Sequence, residues 1–168
     1  MKNSLVILVL ALFLSGCGSS PSESKPSAAS PSPTVAAATS EAEHAHSAPH
    51  GGMLVEFGEE FAHLEIVLDA AAGRLTAYAL DGEAEASVRV KQPAIEIAVK
   101  KPAATVVKLG GVANGLTGET AGDTSEFTGQ SDALKGQAEF EGVIKTISIK
   151  GRSFTNVAFQ FPKGNEAK

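Results

Sequence analysis

The stretch Phe61-Ala62-His63-Leu64-Glu65-Ile66-Val67-Leu68 decides the fold class of this chain. Ala62, Leu64, Ile66 and Leu68 fall on one face of an extended segment, and Phe61, His63, Glu65 and Val67 fall on the other. A period of two is the signature of a strand, because successive side chains point to opposite faces of a sheet. The alternation recurs downstream. Val88 and Val90 alternate with Arg89 and Lys91, and Ile95, Ile97 and Val99 with Glu96 and Lys100. One apolar and one wet face is what an antiparallel sheet over a single core requires. Further strands are predicted over residues 53–57, 74–80, 105–109, 138–149 and 153–161.

Turn residues punctuate these runs. Gly73, Asp81-Gly82, Gly110-Gly111, Asn114-Gly115 and Gly151 stand where backbone angles that favour glycine are often needed. Between Phe140 and Ile149 the apolar phase slips, which predicts a bulge or bend near Lys145-Thr146. The one helical candidate is a single turn around residues 131–135, with Ser131 as cap and Gly136 as stop. Many short strands with regular turns make an all-β domain, an antiparallel β-sandwich first and a small barrel second.

The N-terminus has a different character. Lys2 precedes an apolar run over residues 5–13, which ends in Leu14-Ser15-Gly16-Cys17. The run is shorter than the roughly 20 residues a spanning helix needs, and it suits a signal-peptide core. With a small residue before the cysteine, the segment resembles the lipobox of bacterial lipoproteins. That resemblance implies cleavage after residue 16 and a diacylglycerol and amide-linked (palmitate-type) anchor on Cys17, with the mature protein membrane-bound outside the cytoplasm. Gly18 after the cysteine resembles lipoproteins sorted to the periplasmic face of the outer membrane in Gram-negative cells. The plainer alternative is an ordinary secretory signal in which Cys17 is incidental. The chain then divides into a signal peptide (1–16), a lipidated cysteine with a Ser/Ala/Pro/His linker (17–50), the β domain (51–163) and a short tail (164–168). The linker has almost no large apolar residues and reads as a tether, with a root-mean-square span of roughly 30 Å.

Composition narrows the function. Cys17 is the only cysteine, so lipidation leaves no thiol for a disulfide or a thiolate metal site. A formal charge of −5 argues against nucleic acid or anionic lipid as the main partner. Hydrophobic residues make up 43% of the chain, enough for a core that needs no covalent staple.

All four histidines, His44, His46, His50 and His63, lie close together in sequence. Neutral imidazole is the commonest ligand for divalent Zn, Cu and Ni. In an extended chain His44 and His46 point the same way, and His50 is near enough to add a third nitrogen. His63, on the outward face of its strand beside Glu65, is a fourth ligand or part of a second shell. Glu41, Glu43 and Glu65 are candidate oxygen ligands, and Met53 is a candidate soft ligand. The competing reading makes His63 and Glu65 a solvent-facing strand pair and Met53 a core residue.

Pro49-His50-Gly51-Gly52 followed by Leu54, then His63-Leu64-Glu65 and the run over residues 75–81, resembles a segment of uncharacterised bacterial lipoproteins. It is similar, less closely, to the N-terminal region of periplasmic adaptors of heavy-metal efflux systems. That likeness covers residues 44–81 and implies periplasmic metal binding or delivery, with His50 the residue carried over. The chain lacks the long helical hairpin and the lipoyl-like half of such adaptors.

An enzyme is not expected. There is no thiol nucleophile, no Gly-x-Ser-x-Gly elbow, no phosphate loop and no His-Glu-x-x-His helix. The His-x-His pair resembles hydrolytic zinc sites, but those hold it on a rigid scaffold. Ser125 has neighbouring carboxylates and no histidine nearby in sequence. Two functions follow. One is a lipid-anchored domain that binds or buffers a transition metal. The other is an envelope-structural lipoprotein that presents its sheet to a protein partner, with residues 110–129 as the contact surface.

Overall fold

The computed structural model describes residues 46–165. Cys17, Glu41, Glu43, His44 and the whole of the expected signal peptide lie outside the described residues. Eight strands, β1 (Met53–Phe57), β2 (Ala62–Asp69), β3 (Arg74–Leu80), β4 (Ala94–Lys101), β5 (Thr105–Gly111), β6 (Glu126–Gln130), β7 (Phe140–Ile149) and β8 (Arg152–Phe161), form one antiparallel sheet. Their spatial order is β1-β2-β3-β6-β5-β4-β7-β8. The class is all-β, as the alternation predicts. The sheet is continuous and curls until it is nearly closed like a barrel, so its inner face wraps one core instead of meeting a second sheet.

The alternating residues fill that interior. Val55 and Phe57 of β1, Leu64 and Ile66 of β2, Leu75 and Ala77 of β3 and Ile95 and Ile97 of β4 are buried together with Leu109, Phe127 and Ile144. Each large aliphatic or aromatic side chain taken out of water stabilises the fold by about 1.5–3 kcal/mol. No disulfide contributes. In β7 the phase slip is present: Phe140 and Ile144 are buried, and then Ile147 and Ile149. The pairing register with β8 is the same on both sides of it. The slip is absorbed by a local irregularity of both strands, with Asn156 of β8 at a φ of 55°.

Closure brings the two edge strands together. The Phe57 and Phe154 rings, from β1 and β8, lie 5.2 Å apart. Beyond β8 the chain turns back, and Gly164 pairs with Gln160. Asn165 then imitates a strand neighbour. Its Oδ1 accepts from the Glu56 amide at 2.8 Å, and its Nδ2 donates to the Glu56 carbonyl at 3.0 Å. Residues 164 and 165 therefore belong to the seam and not to a loose tail.

Two strand assignments differ from the sequence reading. Residues 88–91 do not form a strand. β6 occupies the free edge of β3 from Arg74 to Tyr78, so the segment after Leu80 finds only single bridges, Leu80 to Ser87 and Val90 to Thr124. The strand β6 lies where the sequence reading places no strand, and it overlaps the end of residues 110–129. Only Phe127 of it is fully buried, and Gly129 is required because a Cβ there would collide with the Lys108 carbonyl. The expected helical turn is a 3-10 turn at Asp132–Leu134, capped by the Ser131 side chain, with Gly136 at a φ of 70°.

Candidate functional site

Outward-facing positions of β1, β2 and β3 form a small patch: Leu54 and Glu56, then His63 and Glu65, then Tyr78 and Leu80. The alternation places His63 and Glu65 away from the core, as expected. Their exposure is the surprise: both are 0% accessible. They are not a solvent-facing pair, because residues 46–52 lie across this face as a strap. Ala48 packs on a cluster of Leu54, Leu80 and Ala84, which supplies apolar burial on the outer side of the sheet. Residues 46–50, assigned to the linker by composition, are thus part of the domain's covering.

Glu65 holds the strap down. Its Oε1 accepts the backbone N–H groups of His50 and Gly52, each at 2.8 Å, and its Oε2 accepts Nδ1–H of His50 at 2.7 Å. A buried carboxylate is tolerated only when several donors replace its water, and the strap delivers three from a single turn. Gly52 is needed for the approach: a Cβ would lie 2.5 Å from the Ile66 carbonyl oxygen. The His50 ring stacks on Tyr78 at 3.7 Å and 12°. Burial pushes the Tyr78 hydroxyl pKa up, and the nearby charges of Glu126 and Glu65 add to the shift.

His63 sits in a different setting on the same face. Its Nδ1 lies 3.1 Å from the Asp81 carbonyl oxygen. A carbonyl only accepts, so Nδ1 carries the hydrogen and Nε2 of the neutral ring is a bare lone pair. That Nε2 is buried and has no hydrogen-bond partner among the described residues. The His46 ring lies 4.9 Å away, centroid to centroid, tilted by 57°. Only 8% of the His46 side chain is accessible, and its Nε2 is 3.4 Å from Oε1 of Glu60. Glu60 stands in the β1–β2 turn, where Glu59 and Glu60 adopt φ values of 53° and 59°. Its amide is held by the Glu56 side chain at 2.8 Å. Non-glycine residues at positive φ cost on the order of 1 kcal/mol each and persist where surrounding contacts enforce them.

The histidines are therefore divided in two. His46 meets His63, while His50 is committed to Glu65 and Tyr78. Among the described residues no three His, Cys, Asp or Glu side chains converge to hold one metal ion. Both Glu65 oxygens are engaged by donors from the strap, two on Oε1 and one on Oε2. Met53 is excluded as a soft ligand: it shares the inner face of β1 with Val55 and Phe57, 5% exposed, and the sheet separates it from His63.

No protein-family model, curated protein or solved structure matches the chain.

Beside His50 lies a cavity of about 370 Å³ lined by Tyr78, Ser87, Arg89, Glu119, Ser125 and Glu126 among others. The fold thus brings Ser125 to a histidine that sequence distance hides. The serine is not poised as a nucleophile, because its Oγ donates to Oε1 of Glu119 at 2.7 Å. Hydrogen bonds from Thr117 and Ser125 hold the Glu119 carboxyl below its ordinary pKa. Glu60, Tyr78 and the Asp81 carbonyl are brought beside the histidines by the pairing of β1, β2 and β3.

Proposed function

We propose that this protein is a lipid-anchored extracytoplasmic lipoprotein whose strap and sheet together bind a transition metal at His46 and His63. One observation carries the reading: a fully buried imidazole whose Nδ1 hydrogen is fixed by a backbone carbonyl and whose Nε2 has no partner. Metal-binding histidines are oriented in the same way, with the distal N–H tied to a carbonyl or carboxylate. Leaving a buried nitrogen unpaired otherwise costs about 1–3 kcal/mol. His50, tied to Glu65, positions the strap that carries His46 instead of binding the same ion. His44, two residues before His46, is within about 7 Å of it along an extended chain and is the further imidazole this reading includes. The protein is read as a binder and not an enzyme; Ser125 beside His50 is tied to Glu119.

Titrating the full chain in detergent with Zn²⁺, Cu²⁺ and Ni²⁺ by calorimetry, and with Cu(I) under anaerobic competition, tests this. One ion should bind with a Kd well below millimolar, and binding should weaken at least tenfold in His46→Ala. Binding no tighter than millimolar for every ion, or unaffected by that change, overturns the reading. The other reading, a lipoprotein that docks a protein partner, is favoured by Leu116, which is fully exposed on the loop between β5 and β6.

A further inference from the structure

We infer that the ion held by His46 and His63 is a tetrahedral divalent cation, Zn²⁺, and that the Glu60 carboxylate is its third ligand. The inference rests on the metal-binding reading above; it names the class of ion and adds a ligand from the β1–β2 turn.

Spacing is the first ground. A metal lies about 2.0 Å from a ligating imidazole nitrogen and so about 3.1 Å from the ring centre, which puts two rings on one tetrahedral ion about 5.1 Å apart. At a right angle, as in a planar or octahedral site, the separation falls to about 4.4 Å, and in line it rises to about 6.2 Å. The His46 and His63 ring centres are 4.9 Å apart. Glu60 gives a second, independent measure. Two ligand atoms each about 2.0–2.1 Å from a tetrahedral ion lie about 3.3–3.4 Å from one another, against about 2.9 Å at a right angle. Nε2 of His46 and Oε1 of Glu60 are 3.4 Å apart. That is long for a hydrogen bond to a carboxylate, which closes to about 2.7–2.9 Å. The other histidine–carboxylate pair of this face, His50 with Glu65, does close, to 2.7 Å.

Donor chemistry and charge are the second ground. His63 presents a buried Nε2 with no hydrogen-bond partner among the described residues, and its Nδ1 is fixed on the Asp81 carbonyl. Two imidazoles and a carboxylate are a zinc donor set. Taking a divalent ion out of water is costly unless opposite charge stands beside it. Glu60 supplies one negative charge and Glu56 a second. Glu56 faces His63 across the β1–β2 register, and its Oε1 accepts the Glu60 amide at 2.8 Å. It is thus a positioning residue, holding the turn that brings Glu60 to His46. As the described side chains stand, no three converge on one point. Closing the site takes a rotation of the Glu60 side chain, which is 46% accessible, toward His63. His44, included above, or a water completes the tetrahedron.

The test uses the full chain in detergent, titrated with Zn²⁺ and Ni²⁺ against a chromogenic chelator, with Co²⁺ as a coloured substitute for zinc. The expected result is one Zn²⁺ per chain, bound at least tenfold more tightly than Ni²⁺, and the intense visible bands of four-coordinate Co²⁺. Glu60→Gln should weaken Zn²⁺ binding at least tenfold and shift the Co²⁺ bands while leaving the urea midpoint without metal unchanged; a merely structural Glu60 would leave the bands in place. His63→Asn keeps a donor for the Asp81 carbonyl while removing Nε2, so it should fold and lose at least a hundredfold in Zn²⁺ affinity. Weak bands of six-coordinate Co²⁺, Zn²⁺ binding absent or weaker than that of Ni²⁺, or a Glu60→Gln variant within threefold of the parent overturns the zinc assignment and leaves metal binding at the histidines standing. Zn²⁺ binding that survives His63→Asn, or no binding of these ions or of copper in either oxidation state, overturns both.

Discussion

Replacing Glu65 by Ala removes the acceptor that takes three hydrogen bonds from His50 and Gly52 of the strap. Three donors lose their partner at once: two backbone N–H groups at 2.8 Å and the His50 ring N–H at 2.7 Å. A hydrogen bond to a charged group contributes about 1.5–3 kcal/mol, and unpaired buried donors are costly. The strap need not suffer this in place, because lifting off lets water take the donors. What is lost then is the free energy of docking, and the small Ala48–Leu54–Leu80–Ala84 cluster is exposed. Counting the two backbone bonds alone at the low end gives about 3 kcal/mol, or roughly a hundredfold in the docking equilibrium. Amide hydrogen exchange should therefore accelerate about a hundredfold at His50 and Gly52. Amides of Ile95, Ile97 and Ile144 in the core strands should stay protected, since opening is local. Glu65→Gln should fall between: its carbonyl oxygen keeps the two backbone donors, while its NH₂ faces Nδ1 of His50 and forces that ring to the other tautomer. A smaller loss, about 1–2 kcal/mol, follows. If the Ala variant keeps His50 and Gly52 within threefold of the parent, Glu65 is not what holds the strap.

Gly52→Ala should undock the same strap without touching a hydrogen-bonding group, because its Cβ would press on the Ile66 carbonyl and the Val67 side chain. Loss of the His50–Tyr78 stack, seen as a shift of the Tyr78 ring resonances, is the readout; unchanged resonances would contradict the steric reading. Glu119→Ala should cost about 1–3 kcal/mol, since it frees the Ser125 amide and two hydroxyls. Its pH dependence has a defined sign. The folded carboxyl titrates below its ordinary 4.5, so the contribution is present above that value and is lost as pH falls through the folded pKa. Urea midpoints of parent and variant should converge in acid, and a gap that widens as pH falls would refute this. Cys17→Ser should move the protein from the membrane to the soluble fraction, and a variant that still fractionates with membranes removes the case for the lipid anchor.

Much of the strand framework is legible in local pattern. Alternation in residues 61–68 and 95–99 needs only one buried face to be read, and Ser131 with Gly136 marks the single helical turn. β6 is not legible because Glu126-Phe127-Thr128-Gly129-Gln130 carries one large apolar side chain; it is a strand because the edges of β3 and β5 need a partner. The apparent strand at Val88 and Val90 fails for the complementary reason, since that edge is already taken.

The histidine cluster shows the same division. Sequence alone determined that His63 and Glu65 share the outer face of β2, that His46 and His50 lie just upstream, and that the chain has one cysteine, Cys17. It could not determine that this face is dry. Burial of His63 and Glu65 depends on a strap docked across three strands, and that docking depends on a carboxylate matched to donors fifteen and thirteen residues away. Periodicity reports which way a side chain points. Only tertiary structure decides what lies over it, and so whether an imidazole nitrogen faces water or is buried without a partner, as His63 Nε2 is among the described residues.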